Sequence, residues 1–125
     1  DDGKTKWDGT KSKLGMYNSV TRWHHAQLAY FLGRLKELKN ADGTSALDSS
    51  MIVYGSSIAD GHAHEEKNLP ILLAGGGSGS LRTGHYLAPR RSTSMSQLHL
   101  TLLQRMGLPM EKFGETRTPL EGLSV

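Results

Sequence analysis

Cysteine is absent from this chain of 125 residues. Its absence excludes disulfide bonds, thiolate metal sites and cysteine nucleophiles, and it leaves the redox compartment open, because a chain without thiols suits either side of a membrane. Long apolar runs are absent as well. No stretch approaches the ~18 apolar residues of a membrane-spanning helix, and the polar opening residues do not resemble a signal peptide. We therefore expect no membrane span.

The chain also has little net charge. Lys and Arg number 15 and Asp and Glu number 12, which gives a formal net charge of +3, and only Arg90 and Arg91 are adjacent cations. Nucleic-acid-binding domains concentrate their basic residues on one face, so this dispersed pattern favours no specific nucleic-acid partner. The length fits one domain of about 100–150 residues, and 15 glycines indicate a high loop content. Because the first residue is Asp rather than Met, we expect a processed or partial chain.

The N-terminal third contains a polar segment followed by a helical pattern. Residues 1–13 are polar and are predicted to form an arm or linker. From residue 14 to residue 38, apolar side chains recur at steps of three and four, which predicts one long amphipathic helix. Its predicted apolar face carries Val20, His24, Gln27 or Leu28, Phe31, Leu35 and Leu38.

The rest of the chain predicts two strands and a second helix. Residues 51–54 and 69–74 are continuous apolar runs, typical of strands covered on both faces. Ser94 and Gln97 predict a capping box, and Gly107 predicts the end of that helix. Its expected packed face carries Met95, Leu98, Leu102 and Met106. The predicted fold is α/β: a partial three-layer α/β/α sandwich with a long N-terminal helix, two buried strands and a C-terminal helix.

Ionisable side chains are concentrated in residues 60–66, DGHAHEE, directly after the first predicted strand. Open α/β sheets bind ligands outside the carboxyl ends of their strands. Imidazoles and carboxylates are donors for divalent metals, and the alternation of His62 and His64 would place both rings on one side of an extended chain. Asp60, His62 and His64 are therefore candidate metal ligands. The alternative is a solvated polar loop.

Other residues are candidates for supporting roles. His24 lies on the predicted apolar face of the first helix, where it is either a core histidine bonded to a backbone carbonyl, a group that orients a ligand, or a metal ligand. Residues 55–59, GSSIA, resemble a nucleophile elbow, but no apolar helical period follows them, which argues against a serine hydrolase. The glycine run 75–79 predicts a sharp turn beside the Asp60 loop. Arg82 follows that run and either faces an anion or lies in solvent.

The order of several motifs resembles the C-terminal part of a bacterial family, the protein-of-unknown-function family 1552. The motifs are TRWH at 21–24, QLAY at 27–30, LDSSMIVYGS at 47–56, DG at 60–61 with His64, NLPILLAGG at 68–76, and LLQRMGLP at 102–109 with FG at 113–114. The resemblance runs from about Val20 to Leu123. It implies that residues 14–125 are the C-terminal portion of a single α/β domain.

That family is similar to the alkaline phosphatase and sulfatase superfamily, whose members are α/β/α sandwiches with divalent metal ions held by Asp and His at strand ends. The resemblance implies that Asp60 and His64 are ligands of zinc, calcium or magnesium, with His62 and His24 as further ligands or supporting groups. Arg82 would neutralise an anionic ester substrate. The nucleophile and other ligands would come from the N-terminal half of the parent chain, which is the expected partner.

The function implied is that of a metal-dependent hydrolase of phosphate or sulfate esters. Members of the family are typically exported, often with a twin-arginine leader, so the expected location is periplasmic or extracellular. The alternative is a module of the same fold without catalysis, used for binding or for assembly at the cell surface, because fold does not imply function.

Overall fold

The computed structural model describes residues 6–7, 11–90 and 92–123. Its elements in chain order are β1 (Lys6–Trp7), β2 (Lys11–Ser12), α1 (Lys13–Glu37), α2 (Ala46–Ser49), β3 (Ile52–Gly55), β4 (Ile71–Ala74), a short 3₁₀ turn (Gly77–Gly79) and α3 (Met95–Arg105). The predicted α/β class, with a long N-terminal helix, two strands and a C-terminal helix, is confirmed. Of the predicted polar arm, residues 1–5 and 8–10 lie outside the described residues. The two short strands β1 and β2 pair antiparallel within it.

Strands β3 and β4 form an antiparallel pair, in which Ile52 lies opposite Ala74 and Gly55 lies opposite Ile71. Because side chains alternate along a strand, Tyr54 and Leu72 share one face and Val53 and Leu73 share the other. The first face borders α1, since the His25 ring lies edge-on to Tyr54 with the ring centroids 5.6 Å apart. The second face carries Leu73, which packs against the core.

The two faces of this hairpin are only partly covered. Val53 is 37% exposed on one face and Leu72 is 45% exposed on the other. The prediction of strands covered on both faces is therefore met in part. Helix α1 borders one face and the core cluster that includes Leu98 and Leu102 borders the other, but the described sheet has two strands. The complete three-layer sandwich stays a prediction.

The core lies between α3, the turn after β4 and the C-terminal segment. Leu81, Leu98, Leu102 and Leu123 form a buried cluster, and Leu100 is fully buried. Partly buried apolar residues pack against that cluster: Met51, Ile71, Leu73, Leu87, Met95 and Leu120. On α3 the predicted face is correct for three of its four residues. The fourth, Met106, is 66% exposed, because it is the C-cap of the helix.

The ends of α3 follow the local signals in the sequence. The Ser94 backbone N–H donates to Gln97 Oε1 at 3.0 Å, which is one half of a reciprocal capping box. Gly107 has a φ of +84° just beyond the last turn, and its N–H donates to the Gln104 carbonyl. Both predicted boundaries are confirmed.

Helix α1 was predicted in the correct place, but its inward side was predicted only in part. No residue of α1 is buried, and Val20, Phe31 and Leu38 on the predicted face are all about half exposed or more. Leu28 and Leu35 of the predicted face are partly buried, and Leu28 lines a groove against the hairpin together with Tyr54. The physical reason is that apolar residues occupy both sides of this helix, so periodicity alone did not select the side that packs. None of the described helices is long and apolar enough to cross a membrane.

The glycine run after β4 packs against α2. The N–H groups of Gly76 and Gly77 donate to the carbonyls of Leu47 and Ser50 at 3.1 and 3.0 Å. Gly75 has a φ of +98° and lies so close to Ser50 that a Cβ there would overlap its carbonyl oxygen. These glycines therefore permit direct contact between two backbone segments.

Candidate functional site

The candidate site is the loop of residues 56–70, which joins β3 to β4. Its base is fixed at Gly55, where a Cβ would lie 2.5 Å from the carbonyl oxygen of Pro70. Within it, the Ala59 N–H donates to the Glu65 carbonyl at 2.7 Å, and the Glu65 N–H donates to the Asp60 carbonyl at 3.3 Å. These two hydrogen bonds close a small turn that carries both candidate histidines of the loop.

Asp60 is held at the start of this turn by its own side chain. Its Oδ1 accepts the backbone N–H groups of His62 and Ala63 at 2.8 and 2.9 Å. These hydrogen bonds, from Ala63 first and His62 second, hold the pKa of Asp60 below its ordinary value of 3.8. The carboxylate is thus ionised at neutral pH and exposed to solvent.

The predicted ligands do not converge on one point. His62 and His64 are exposed in the turn, and His64 has a φ of +52°. His24 is also exposed on α1, where its ring contacts that of Trp23 at a centroid distance of 5.1 Å. The described residues contain no group of three or more His, Asp or Glu side chains arranged to hold a metal ion. The inward orientation expected for His24 is wrong, because the helix presents a different side to the hairpin.

Arg82 and the glycine run lie away from the Asp60 loop. Because β3 and β4 are antiparallel, the loop leaves the hairpin at the Gly55–Ile71 end, whereas the glycines follow Ala74 at the other end. The prediction that the glycines turn the chain beside Asp60 is wrong for this reason. Arg82 follows those glycines and is exposed, and its backbone N–H donates to the Leu123 carbonyl at 3.0 Å.

Ser56 follows β3 but does not form a nucleophile elbow. Its hydroxyl donates to the Ile58 carbonyl at 2.7 Å and accepts the Ile58 N–H at 3.2 Å. The residues after it form a loop rather than the helix that the elbow requires. This geometry agrees with the argument against a serine hydrolase.

Two depressions in the described surface were not predicted from the sequence. One, of 220 Å³, lies between α1 and the hairpin and is lined by His25, Leu28, Tyr54, Pro70, Ile71 and Leu72. The other, of 570 Å³, borders α2 and contains Asp42 and Asp48. Those two carboxylates form hydrogen bonds with nearby backbone N–H groups. Asp42 accepts the Thr44 N–H at 2.9 Å, and Asp48 accepts the Ser45 N–H at 2.9 Å. The signals in the sequence that could have indicated these roles are the short-range capping and turn patterns around the two aspartates.

The local hydrogen bonds of Asp60 predict a titration below the ordinary range. We expect its carboxyl carbon, followed by NMR, to titrate with a midpoint below 3.8 in the folded chain and near 3.8 in urea. Since the folded pKa is lowered, the stability that it contributes is present above the unfolded pKa and is lost as the pH falls through the folded pKa. Equal midpoints in the two states would contradict the turn geometry.

Comparison with known proteins gives no independent assignment. No protein-family model, no curated protein and no solved structure matches the chain. The resemblance to family 1552 therefore depends on the order of motifs alone.

Proposed function

We propose that this chain is the C-terminal portion of an exported, alkaline-phosphatase-like protein that hydrolyses phosphate or sulfate esters. The observation that carries the proposal is the ionised, exposed carboxylate of Asp60, held with His62 and His64 in one turn at the end of β3. The order of motifs from TRWH to LLQRMGLP supports the same assignment.

In this proposal, the chain supplies only part of a reaction centre. The described residues do not by themselves form a site for a metal ion, so Asp60 and His64 would be two ligands among several. The nucleophile and the remaining ligands would come from the N-terminal half of the parent protein. In this chain, the two N–H donors to Oδ1 keep the Asp60 carboxylate charged and oriented, which is what a ligand contributed from an exposed loop requires.

The experiment is a metal analysis and ester-hydrolysis assay of the full-length parent. We expect the purified parent to contain a divalent ion, and the double variant Asp60→Ala, His64→Ala to lose at least ten-fold in metal affinity and in hydrolysis of p-nitrophenyl phosphate or sulfate, since ligand loss typically costs this much or more.

The matched control is Asp42→Ala. Asp42 is also a carboxylate with a lowered pKa in an exposed turn, but it is in the segment before α2. We expect metal content and hydrolysis to stay unchanged in this variant. A parent without bound metal, or a double variant with unaltered metal content and activity, would contradict the proposal that the parent is a metal-dependent hydrolase.

One observation favours the alternative, a binding or assembly module of the same fold. Six of the exposed large apolar side chains belong to the single helix α1: Leu14, Tyr17, Val20, Trp23, Tyr30 and Phe31. Contiguous apolar surface of this kind is typical of interaction sites rather than of free surface. A parent that fails the metal test while α1 proves to be an interface would fit this second assignment.

A further inference from the structure

Strand β3 has an outer edge with which no described strand pairs. In an antiparallel pair, opposite residues alternate between those that exchange two hydrogen bonds and those that exchange none. The Ser56 N–H donates to the Pro70 carbonyl at 3.3 Å, so in this register Tyr54 is a hydrogen-bonded position and Val53 and Gly55 are not. The backbone N–H and C=O groups of Val53 and Gly55 therefore point away from β4.

These outward groups have no hydrogen-bond partner among the residues that the structure describes. No isolated bridge there involves β3, and no hydrogen bond from outside the hairpin reaches Val53 or Gly55. Both residues are exposed, Val53 by 37%. Ile71 and Leu73, which hold the corresponding positions on β4, are instead partly buried and pack against the core cluster. The open edge of the hairpin is therefore that of β3.

The sequence of β3 lacks the features that keep an edge strand from pairing. Protected edges carry a charged side chain, a proline or a bulge. Strand β3 has the sequence IVYG, without charge or proline, and its register with β4 is regular. Ile, Val and Tyr also favour extended strands. Such an edge is complementary to another extended backbone, whose N–H and C=O groups pair with its own.

The small number of outward groups favours a strand of the same polypeptide over a second molecule. A strand paired with Val53 and Gly55 makes at most four hydrogen bonds, each of small net strength in water. Such a contact is too weak to hold two separate molecules together at micromolar concentration. A strand of the same polypeptide needs no such affinity, because its effective concentration is in the millimolar range.

The position of the edge connects it to the Asp60 loop. That loop leaves the hairpin at Gly55, and the described residues alone do not assemble a metal site around Asp60. A strand along β3 has one of its ends at Gly55, so the segment joined to that end lies beside the Asp60 loop. A second copy paired two-fold through β3 would instead place its own Asp60 loop at the opposite end.

We infer that the outer edge of β3 pairs with a strand from the N-terminal half of the parent protein. The inference rests on the proposed function, because that proposal supplies the N-terminal half. Its test uses neither metal content nor hydrolysis, so the inference and the proposed function can fail separately.

Hydrogen exchange of the full-length parent, resolved to single amides, tests the inference. We expect the amides of Val53 and Gly55 to exchange at least a hundred-fold more slowly than in an unfolded chain, because paired amides exchange only when the structure opens. Val53→Pro removes one N–H and places a ring at the edge. In that variant the Gly55 amide should exchange at least ten-fold faster, while the Tyr54 amide, which faces β4, stays protected.

The matched control is Val53→Thr, which keeps the backbone N–H and a β-branched side chain. We expect the Gly55 amide in this variant to exchange as slowly as in the original parent. Fast exchange of both amides in the original parent overturns the inference, as does slow exchange of Gly55 that Val53→Pro leaves unaltered. Slow exchange in a parent without bound metal would support the inference and contradict the hydrolase alone.

Photo-crosslinking identifies the paired strand. With Val53→p-benzoylphenylalanine in the parent, we expect irradiation to join position 53 to a peptide of the N-terminal half within one molecule. Products that contain no peptide of that half overturn the inference. A product of doubled mass, together with exchange that slows only as the concentration rises, would assign the edge to a second copy and would equally overturn it.

Discussion

Replacing Gly75 with alanine should lower the free energy of unfolding by about 3 kcal/mol or more. A Cβ at this position would overlap the carbonyl oxygen of Ser50, and the residue has a φ of +98°, which L side chains rarely adopt. Because Ser50 also accepts the Gly77 N–H, the neighbouring backbone is fixed and has little room to move. Urea denaturation followed by far-UV circular dichroism measures the change.

Gly79→Ala separates the two causes. Gly79 also has a positive φ, +84°, but no atom lies within 4 Å of the position that a Cβ would take. We therefore expect this control to lose only the cost of a left-handed alanine, about 1–2 kcal/mol. If Gly75→Ala and Gly79→Ala lowered the free energy of unfolding equally, the close contact between the glycine run and α2 would not be a cause of the destabilisation.

The second large effect is expected at Leu100, the side chain of α3 that is fully buried. Leu100→Ala should lower the free energy of unfolding by about 3 kcal/mol, within the range of 2–5 kcal/mol measured for buried leucines, because apolar burial is lost and a cavity remains. The same denaturation experiment gives the value.

Met106→Ala, at the C-cap of the same helix, is the matched control. Met106 is 66% exposed, so truncating it should change the stability by less than about 0.5 kcal/mol. A Leu100→Ala variant as stable as Met106→Ala would mean that the burial of the Leu100 side chain does not contribute to stability.

The predictions that succeeded were those carried by short-range chemistry. The capping box of Ser94 and Gln97 and the terminating Gly107 are patterns within four residues of each other or of the helix end, so the sequence displays them directly. The existence of α1 followed from a periodicity sustained over many residues. Its inward side followed only in part, since Leu28 and Leu35 are partly buried and Val20 and Phe31 are not, because that choice depends on which neighbour covers the helix.

The direction of strand pairing was not visible in the sequence. An apolar run such as residues 51–54 has the same pattern in a parallel and in an antiparallel sheet. The antiparallel pairing of β3 with β4 separates the glycine run from the Asp60 loop, and this alone overturned the expectation that both line one site. The glycines are instead explained by α2, a partner that lies more than twenty residues earlier in the chain.

The candidate site was predictable in composition but not in geometry. The concentration of His and carboxylate groups at residues 60–66 is evident from the sequence, and the structure places them in one exposed turn. The orientation of Asp60 toward the N–H groups of His62 and Ala63 was not evident, because it depends on the local backbone path. Convergence on a metal requires residues from other segments, which a local pattern does not reveal.

The Asp60 loop can change without changing the fold, because its base is closed by a tight backbone contact. At Gly55 a side chain would meet the carbonyl of Pro70, so the point where the chain leaves and re-enters the hairpin tolerates little change. Beyond that base the loop is largely exposed, and doubling the length of such a loop costs only about 0.6 kcal/mol in closure entropy. A change in the length of residues 56–69 therefore costs the fold little, so this segment can gain or lose residues, and with them a binding specificity, while the scaffold beneath it stays the same.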